Sequence, residues 1–221
     1  MDTSNIIQNI LIYALPVLLA ITVHEAAHGY AARHFGDNTA HLLGRITLNP
    51  LKHIDPIGTI LMPLLLIFAG SPFLFGYAKP VPVQFGRLRN PKRDMVWVAL
   101  AGPMSNLVMA LIWGVLLYLM KGMDIDETFF IKMAQGGVLV NAVMFAFNLF
   151  PLPPLDGGRI LVGLLPYQYA VMVSRIEPWG FFIVMGLVVT GVISTLWMQP
   201  MMNVTYGILE LFLAPLAYLV N

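Results

Sequence analysis

Cysteine is absent from the 221 residues, which excludes disulfides, thiolate metal ligands and cysteine catalysis. Charge is scarce as well. Asp, Glu, Lys and Arg make up 10% of the chain, against about 25% in an ordinary soluble domain. The net charge is only +1, and no basic cluster interleaves with aromatics, so nothing points to nucleic acid. There is no polar stretch long enough for a second, soluble domain, and no internal repeat. The start, Met1-Asp2-Thr3-Ser4-Asn5, lacks the basic region of a signal peptide. The first apolar run is therefore expected to stay in the mature protein.

Apolar residues dominate instead, at 58%, and several runs approach the roughly 20 residues that span a hydrocarbon core. Ile6 to about Phe35 reads as one long helix kinked by Pro16 and ended by Gly36-Asp37-Asn38. Thr39 to Pro50, β-branched in part and holding Gly44, is expected to form a short β-hairpin. Ile57 to Phe75 is broken by Pro63, Gly70 and Pro72. It is expected to enter and leave on one side as a re-entrant loop, the alternative being a proline-kinked span. Met95–Met120, Met133–Phe150, Pro178–Trp197 and Val204–Val220 read as spans, and Gly157–Leu165 as a short apolar helix. The expected fold is an all-α polytopic membrane protein with five to six transmembrane segments. One domain over 1–221 has its core at about 6–165 and extra spans at about 178–220.

With that topology, every lysine and arginine except Lys121 and Lys132 falls on one side. The positive-inside rule makes that side cytoplasmic in a cell membrane and puts the N-terminus outside. The roughly 18 residues from Ile6 to His24 rise about 27 Å along a helix. His24 is thus expected near the cytoplasmic face, still within the bilayer.

His24-Glu25-Ala26-Ala27-His28 is the chemical centre of the sequence. On a helix, HExxH places two imidazoles on one face, four residues apart, where both can bind one zinc ion. The carboxylate between them can act as a base toward water. Three ionisable groups within five membrane residues are costly and need a reason. Two histidines leave a catalytic zinc one protein ligand short. Asp156 and Glu210 are the intramembrane acids that could complete it. Asp156 follows Pro151-Leu152-Pro153-Pro154-Leu155, an irregular stretch tolerated at membrane depth only where it is buried in protein or lines a cavity; a helix N-cap is its other reading. Glu210 sits in ordinary helix and reads as a packing or partner-facing acid. Asn148 either bonds a neighbouring helix or serves the site, steadying a polarised carbonyl or holding substrate backbone. Ala101-Gly102-Pro103-Met104-Ser105-Asn106 reads chiefly as close helix packing, with Asn106 kept as a substrate-side residue. His34, His41 and His53 read as interfacial residues.

HEAAH in the first span, Gly-Pro-Met-Ser-Asn opening a later one, and Asn-Leu-Phe-Pro-Leu-Pro-Pro-Leu-Asp-Gly-Gly-Arg at 148–159 together resemble the site-2 protease family of intramembrane zinc metalloproteases. The resemblance covers roughly 6–165, and HExxH followed by the 148–159 motif, in order and within spans, is highly specific. It implies one zinc ion per chain on His24, His28 and Asp156, Glu25 as catalytic acid/base, and Asn148 near the active site. Gly44 to Pro50 resembles the membrane-embedded β-structure of the family, and Gly76 to Val83 a stretch seen in short bacterial members. The chain is too short for the PDZ or CBS domains of larger members. The implied activity is hydrolysis of peptide bonds within or next to transmembrane segments of membrane proteins. On this reading Gly44, Ile46 and Leu48 hold an unwound substrate by strand addition.

Two competing readings use the same residues. A membrane metal transporter needs several ligand-bearing sites along a path, and one cluster is evident. A non-catalytic binder of transmembrane segments has no need of Glu25.

Overall fold

The computed structural model describes residues 3–68 and 76–220. Its helices are α1 (Thr3–His34), α2 (Thr39–Leu42), α3 (Met62–Phe68), α4 (Pro91–Gly122), α5 (Thr128–Asn148), α6 (Asp156–Leu164), α7 (Tyr167–Ser174), α8 (Glu177–Val189) and α9 (Gln199–Val220). Four stretches are long and apolar enough to cross a membrane: Ile10–His34, Pro91–Gly122, Thr128–Asn148 and Ser194–Tyr218. The pair α7 and α8, bent by 66°, makes a fifth if taken as one broken span. These are the helices of an integral membrane protein.

At the centre lies α4, packed on α1, α5, α6 and α9. It starts where the sequence permits a helix to start. Pro91 occupies the first turn, where a missing N–H costs nothing. The Asp94 carboxylate reaches back to accept from the Asn90 N–H at 2.7 Å. Along the packed faces the buried residues are small: Ala20, Ala26 and Ala32 on α1, Ala99 and Ala110 on α4, Ala142 and Ala146 on α5. Small side chains let helix backbones approach closely in a bilayer, where packing rather than water drives association. Larger residues, Leu107, Phe145, Leu209 and Leu213, fill the space between α4, α5 and α9.

The β-hairpin expected at 39–50 does not form; among the described residues there is no strand. Local bonds win. Asp37 Oδ1 accepts from the Thr39 N–H at 3.0 Å and from the Thr39 hydroxyl, starting the single turn α2. Gly44 then bonds back to His41 O and Arg45 to Ala40 O, closing the turn at a Gly44 φ of +61°. Residues 45–49 run on without a ladder partner.

The C-terminal spans are also divided differently from the expectation of 178–197 and 204–220. α8 stops at Val189, and Gly191 at φ +74° turns the chain. From Ser194 a wide turn runs straight into α9, so Ser194–Tyr218 is one span. Pro200 stands where the wide turn passes into α9.

The re-entrant expectation for 57–75 falls partly on 69–75, outside the described residues. Its described part is a wide turn at Pro56–Leu61 leading into α3. The chain comes back to its point of departure. The Tyr77 N–H donates to Gly58 O at 3.0 Å, and the Thr59 hydroxyl to Tyr77 O at 2.9 Å.

Candidate metal centre

His24 and His28 project from one face of α1, as the i, i+4 spacing dictates. Asp156 reaches them from the first residue of α6. It can do so because the proline loop before it packs tightly. A Cβ at Gly157 would lie 2.2 Å from Leu149 O, and one at Gly158 2.1 Å from Pro153 N. Gly102 on α4 makes room for the two rings: a Cβ there would stand 2.3 Å from His28 Nε2 and 2.7 Å from His24 Cε1.

The three ligand atoms converge. His24 Nε2 and His28 Nε2 are 3.1 Å apart, and each stands 3.2 Å from Asp156 Oδ2. Both Nδ1 atoms are engaged elsewhere, His24 with Asn106 Oδ1 at 2.6 Å and His28 with Val98 O at 2.7 Å. These partners accept, so each ring spends its proton at Nδ1 and turns an Nε2 lone pair inward. Asp156 Oδ2 then has two lone pairs facing it and no hydrogen-bond donor, although it is buried. Three inward acceptors without a proton between them repel unless a cation sits among them. Ligand atoms of a tetrahedral zinc at about 2.0–2.1 Å lie about 3.3 Å from one another, close to the spacing here. The donor set of two imidazoles and a carboxylate suits zinc, and the group fits one metal ion.

A cavity of about 430 Å³ opens beside these atoms. Glu25 and Asn148 share its wall with the three ligands. Glu25 Oε2 accepts from the Val81 N–H at 2.6 Å. Val81 belongs to a segment without helix or strand, residues 77–83, that lines one side of the cavity. Asn148 Nδ2 gives one proton to Met144 O at 3.0 Å; its second N–H and its Oδ1 remain for the cavity. Arg159 and Phe181 lie farther along the same wall. The Arg159 guanidinium stacks 5.4 Å above the Phe85 ring and meets Glu177 at 3.5 Å.

Other residues singled out in the sequence lie elsewhere. Gly44, Ile46 and Leu48 do not line the cavity. Ile46 packs beside Gly29, and Leu48 is exposed. Asn106 is not at the cavity either; it is fully buried behind His24. Glu210 is exposed on α9, outside the ligand group. His53 is a buried tether, its Nε2 bonded to Thr47 O at 2.9 Å. Sequence reasoning missed Val81, which acts through its backbone and so leaves no side-chain signal. It also missed Asn141, although a buried amide in a span is itself a signal. Gly102 was read as helix packing, whereas its missing Cβ is what admits the imidazoles.

No protein-family model matches the chain, and no solved structure matches it. Curated relatives do. It is 42% identical over 207 residues to YwhC of Bacillus subtilis, named as a zinc metalloprotease, with 90% of each chain covered. It is 31% identical over 175 residues to Rip2 of Mycolicibacterium smegmatis, also named as a zinc metalloprotease, covering 78% of this chain and 64% of that one. MJ0392 of Methanocaldococcus jannaschii, named a zinc metalloprotease, is 24% identical over 173 residues, which is 77% of this chain and 40% of that one.

Proposed function

This chain belongs to the site-2 protease family of zinc metalloproteases, and on that premise we propose that it is an endopeptidase cutting within or next to transmembrane segments of membrane proteins. The observation that carries the reading is the position of Glu25. It shares one cavity wall with three converging ligand atoms, on a helix apolar enough to cross a bilayer.

His24, His28 and Asp156 would hold one zinc ion, which supplies Lewis-acid polarisation of a carbonyl and acidifies water. Glu25 acts as general base and then general acid. With Oε2 held by the Val81 N–H, its other oxygen takes a proton as the water oxygen joins the scissile carbonyl carbon. Glu25 then passes that proton to the leaving nitrogen as the C–N bond breaks. Asn148 has an N–H and an oxygen to offer to substrate backbone. A helical substrate hides its carbonyls in hydrogen bonds and must unwind to enter. The 77–83 wall, which is not helical and lines the cavity, is the surface against which an unwound stretch would lie. The whole chain is read as one membrane unit, its cavity opening toward the cytoplasm because the basic residues collect on that side.

Metal transport is disfavoured because the described residues hold one ligand group rather than a series. The test is zinc content and cleavage measured together on protein purified in detergent. The panel is wild type, His24→Ala, Asp156→Ala and Glu25→Gln, with tagged single-span peptides as substrates. One zinc per wild-type chain is expected, lost in the first two variants. Glu25→Gln should keep zinc and lose cleavage by about 10²–10⁴-fold. Wild-type cleavage by Glu25→Gln, or a wild type that takes up no zinc, would overturn the proposal.

A further inference from the structure

Behind the ligands, two buried amides form a chain that ends on His24. Asn106 on α4 and Asn141 on α5 are both 0% exposed, so no water competes for their polar atoms. Asn141 Nδ2 donates to Gly137 O at 2.9 Å. A backbone carbonyl can only accept, which orients the Asn141 amide and turns its Oδ1 toward Asn106. Asn106 Nδ2 donates to that oxygen at 3.0 Å and to Ala20 O, one turn before His24, at 3.2 Å. Asn106 Oδ1 is therefore the atom left to face His24 Nδ1, at 2.6 Å. Flipping either amide would set oxygen against oxygen at these contacts. Fixed carbonyls on α1 and α5 thus dictate every orientation in the chain, and the ring nitrogen at its end must carry a proton.

We propose that Asn106, itself oriented by Asn141, is the positioning residue that fixes His24 as its Nδ1–H tautomer, with the Nε2 lone pair turned to the metal. The inference rests on the metal-centre reading above. His28 takes the same instruction from Val98 O, a backbone atom that no side-chain substitution removes. His24 depends on a side chain, so this half of the site is the mutable one. Asn106 lies outside the cavity lining, so it does not touch substrate. Hydrogen-bond partners of this kind raise ligand basicity and hold the ring, and losing one costs about 10- to 100-fold in metal affinity.

The test is zinc affinity of the purified protein by chelator competition, together with nitrogen NMR of histidine-labelled, metal-free wild type at alkaline pH. His24 is assigned by its disappearance in His24→Ala. Asn106→Leu should bind zinc about 10- to 100-fold more weakly. Asn106→Asp keeps the acceptor toward His24 but sets its second oxygen against Asn141 Oδ1 and Ala20 O, so it should retain more affinity than Asn106→Leu without reaching wild type. Asn141→Leu should fall between wild type and Asn106→Leu, because Ala20 O still orients Asn106. Wild-type affinity in Asn106→Leu, or equal losses in the Leu and Asp variants, would reduce Asn106 to packing and overturn the proposal. The wild-type spectrum decides independently of how the variants fold. A proton on His24 Nδ1 supports the proposal, and a bare Nδ1 overturns it. A wild type that takes up no zinc would instead sink the metal-centre reading, while that spectrum would still report the tautomer.

Discussion

The backbone N–H of Val81 donates to Glu25 Oε2 across 2.6 Å, although 56 positions separate the two residues in sequence. The carboxylate next to the ligands is thus held by a stretch of main chain. That stretch is itself supported. The Lys79 N–H donates to His53 O at 2.9 Å, and the Arg45 guanidinium donates to Lys79 O at 2.9 Å and to Pro80 O at 3.3 Å. Beyond it, the Gln84 N–H meets Asp37 Oδ2 at 2.6 Å. Residues of the long connection that follows α1 therefore fix where Glu25 points.

Replacing Val81 by proline removes this donor and nothing charged. Val81→Pro should retain zinc and lose cleavage by at least about tenfold, a part of the 10²–10⁴ that a positioned base contributes. Val81→Ala keeps the N–H and should cleave nearly as wild type does. Peptide turnover beside zinc content checks both. Equal activity in the two variants would remove the main chain from the mechanism.

Gly102 offers a steric test of the ligand geometry. A Cβ at this position would meet His28 Nε2 at 2.3 Å and His28 Cε1 at 2.5 Å. Gly102→Val should therefore displace the ring and release zinc, with the fold kept if α1 moves outward. Gly86→Ala, with open space around the added atom, is the matched control and should bind zinc normally. Metal analysis after gel filtration separates loss of zinc from loss of fold.

Acid should loosen the connection at the end of α1. Burial alone would push the Asp37 carboxyl up, but bonds from the Thr39 hydroxyl and N–H and from the Gln84 N–H, with the Arg87 charge, outweigh it and hold it below the usual range. The ionised form is favoured in the folded state. Its contribution is thus present above the unfolded value of about 3.9 and is lost as pH falls through the lower folded value. Asp37→Asn should cost about 1.5–3 kcal/mol near neutral pH, the range for hydrogen bonds to a charged group, and should flatten the acid limb. Thermal unfolding of both proteins from pH 7 to pH 3 measures it; parallel curves would contradict the assignment.

The Arg159–Glu177 pair should matter little to stability. Its atoms are 3.5 Å apart and both side chains are more than a third exposed, and such pairs contribute about 0–1 kcal/mol. Glu177→Gln is expected to shift unfolding by no more than that, with Arg159 still stacked on Phe85. A larger loss would mean that the pair anchors α8 over the proline loop, where Gly180 meets Pro153 O.

What the sequence determined by itself is whatever depends on near neighbours. HExxH at 24–28 is legible because a helix alone brings residues four apart onto one face. The long spans of α1, α4 and α5 are legible because apolar runs of that length have few other fates. Asp156 was marked out by the prolines before it and by the motif they belong to, while Glu210, in ordinary helix, read as a packing or partner-facing acid. Thr39–Pro50 was misread because β-branched residues suggest a strand, while Asp37 and Gly44 close a local turn there. Only the tertiary structure decided that Asp156, on α6, meets His24 and His28 on α1, since α4 must first pack between these elements and leave room at Gly102. It alone decided that Asn106 stands behind His24 and outside the cavity, and that Val81 holds Glu25. Those relations are made by backbone atoms and by helix faces brought together across the bundle, and their distances are set by packing, which no local pattern of residues encodes.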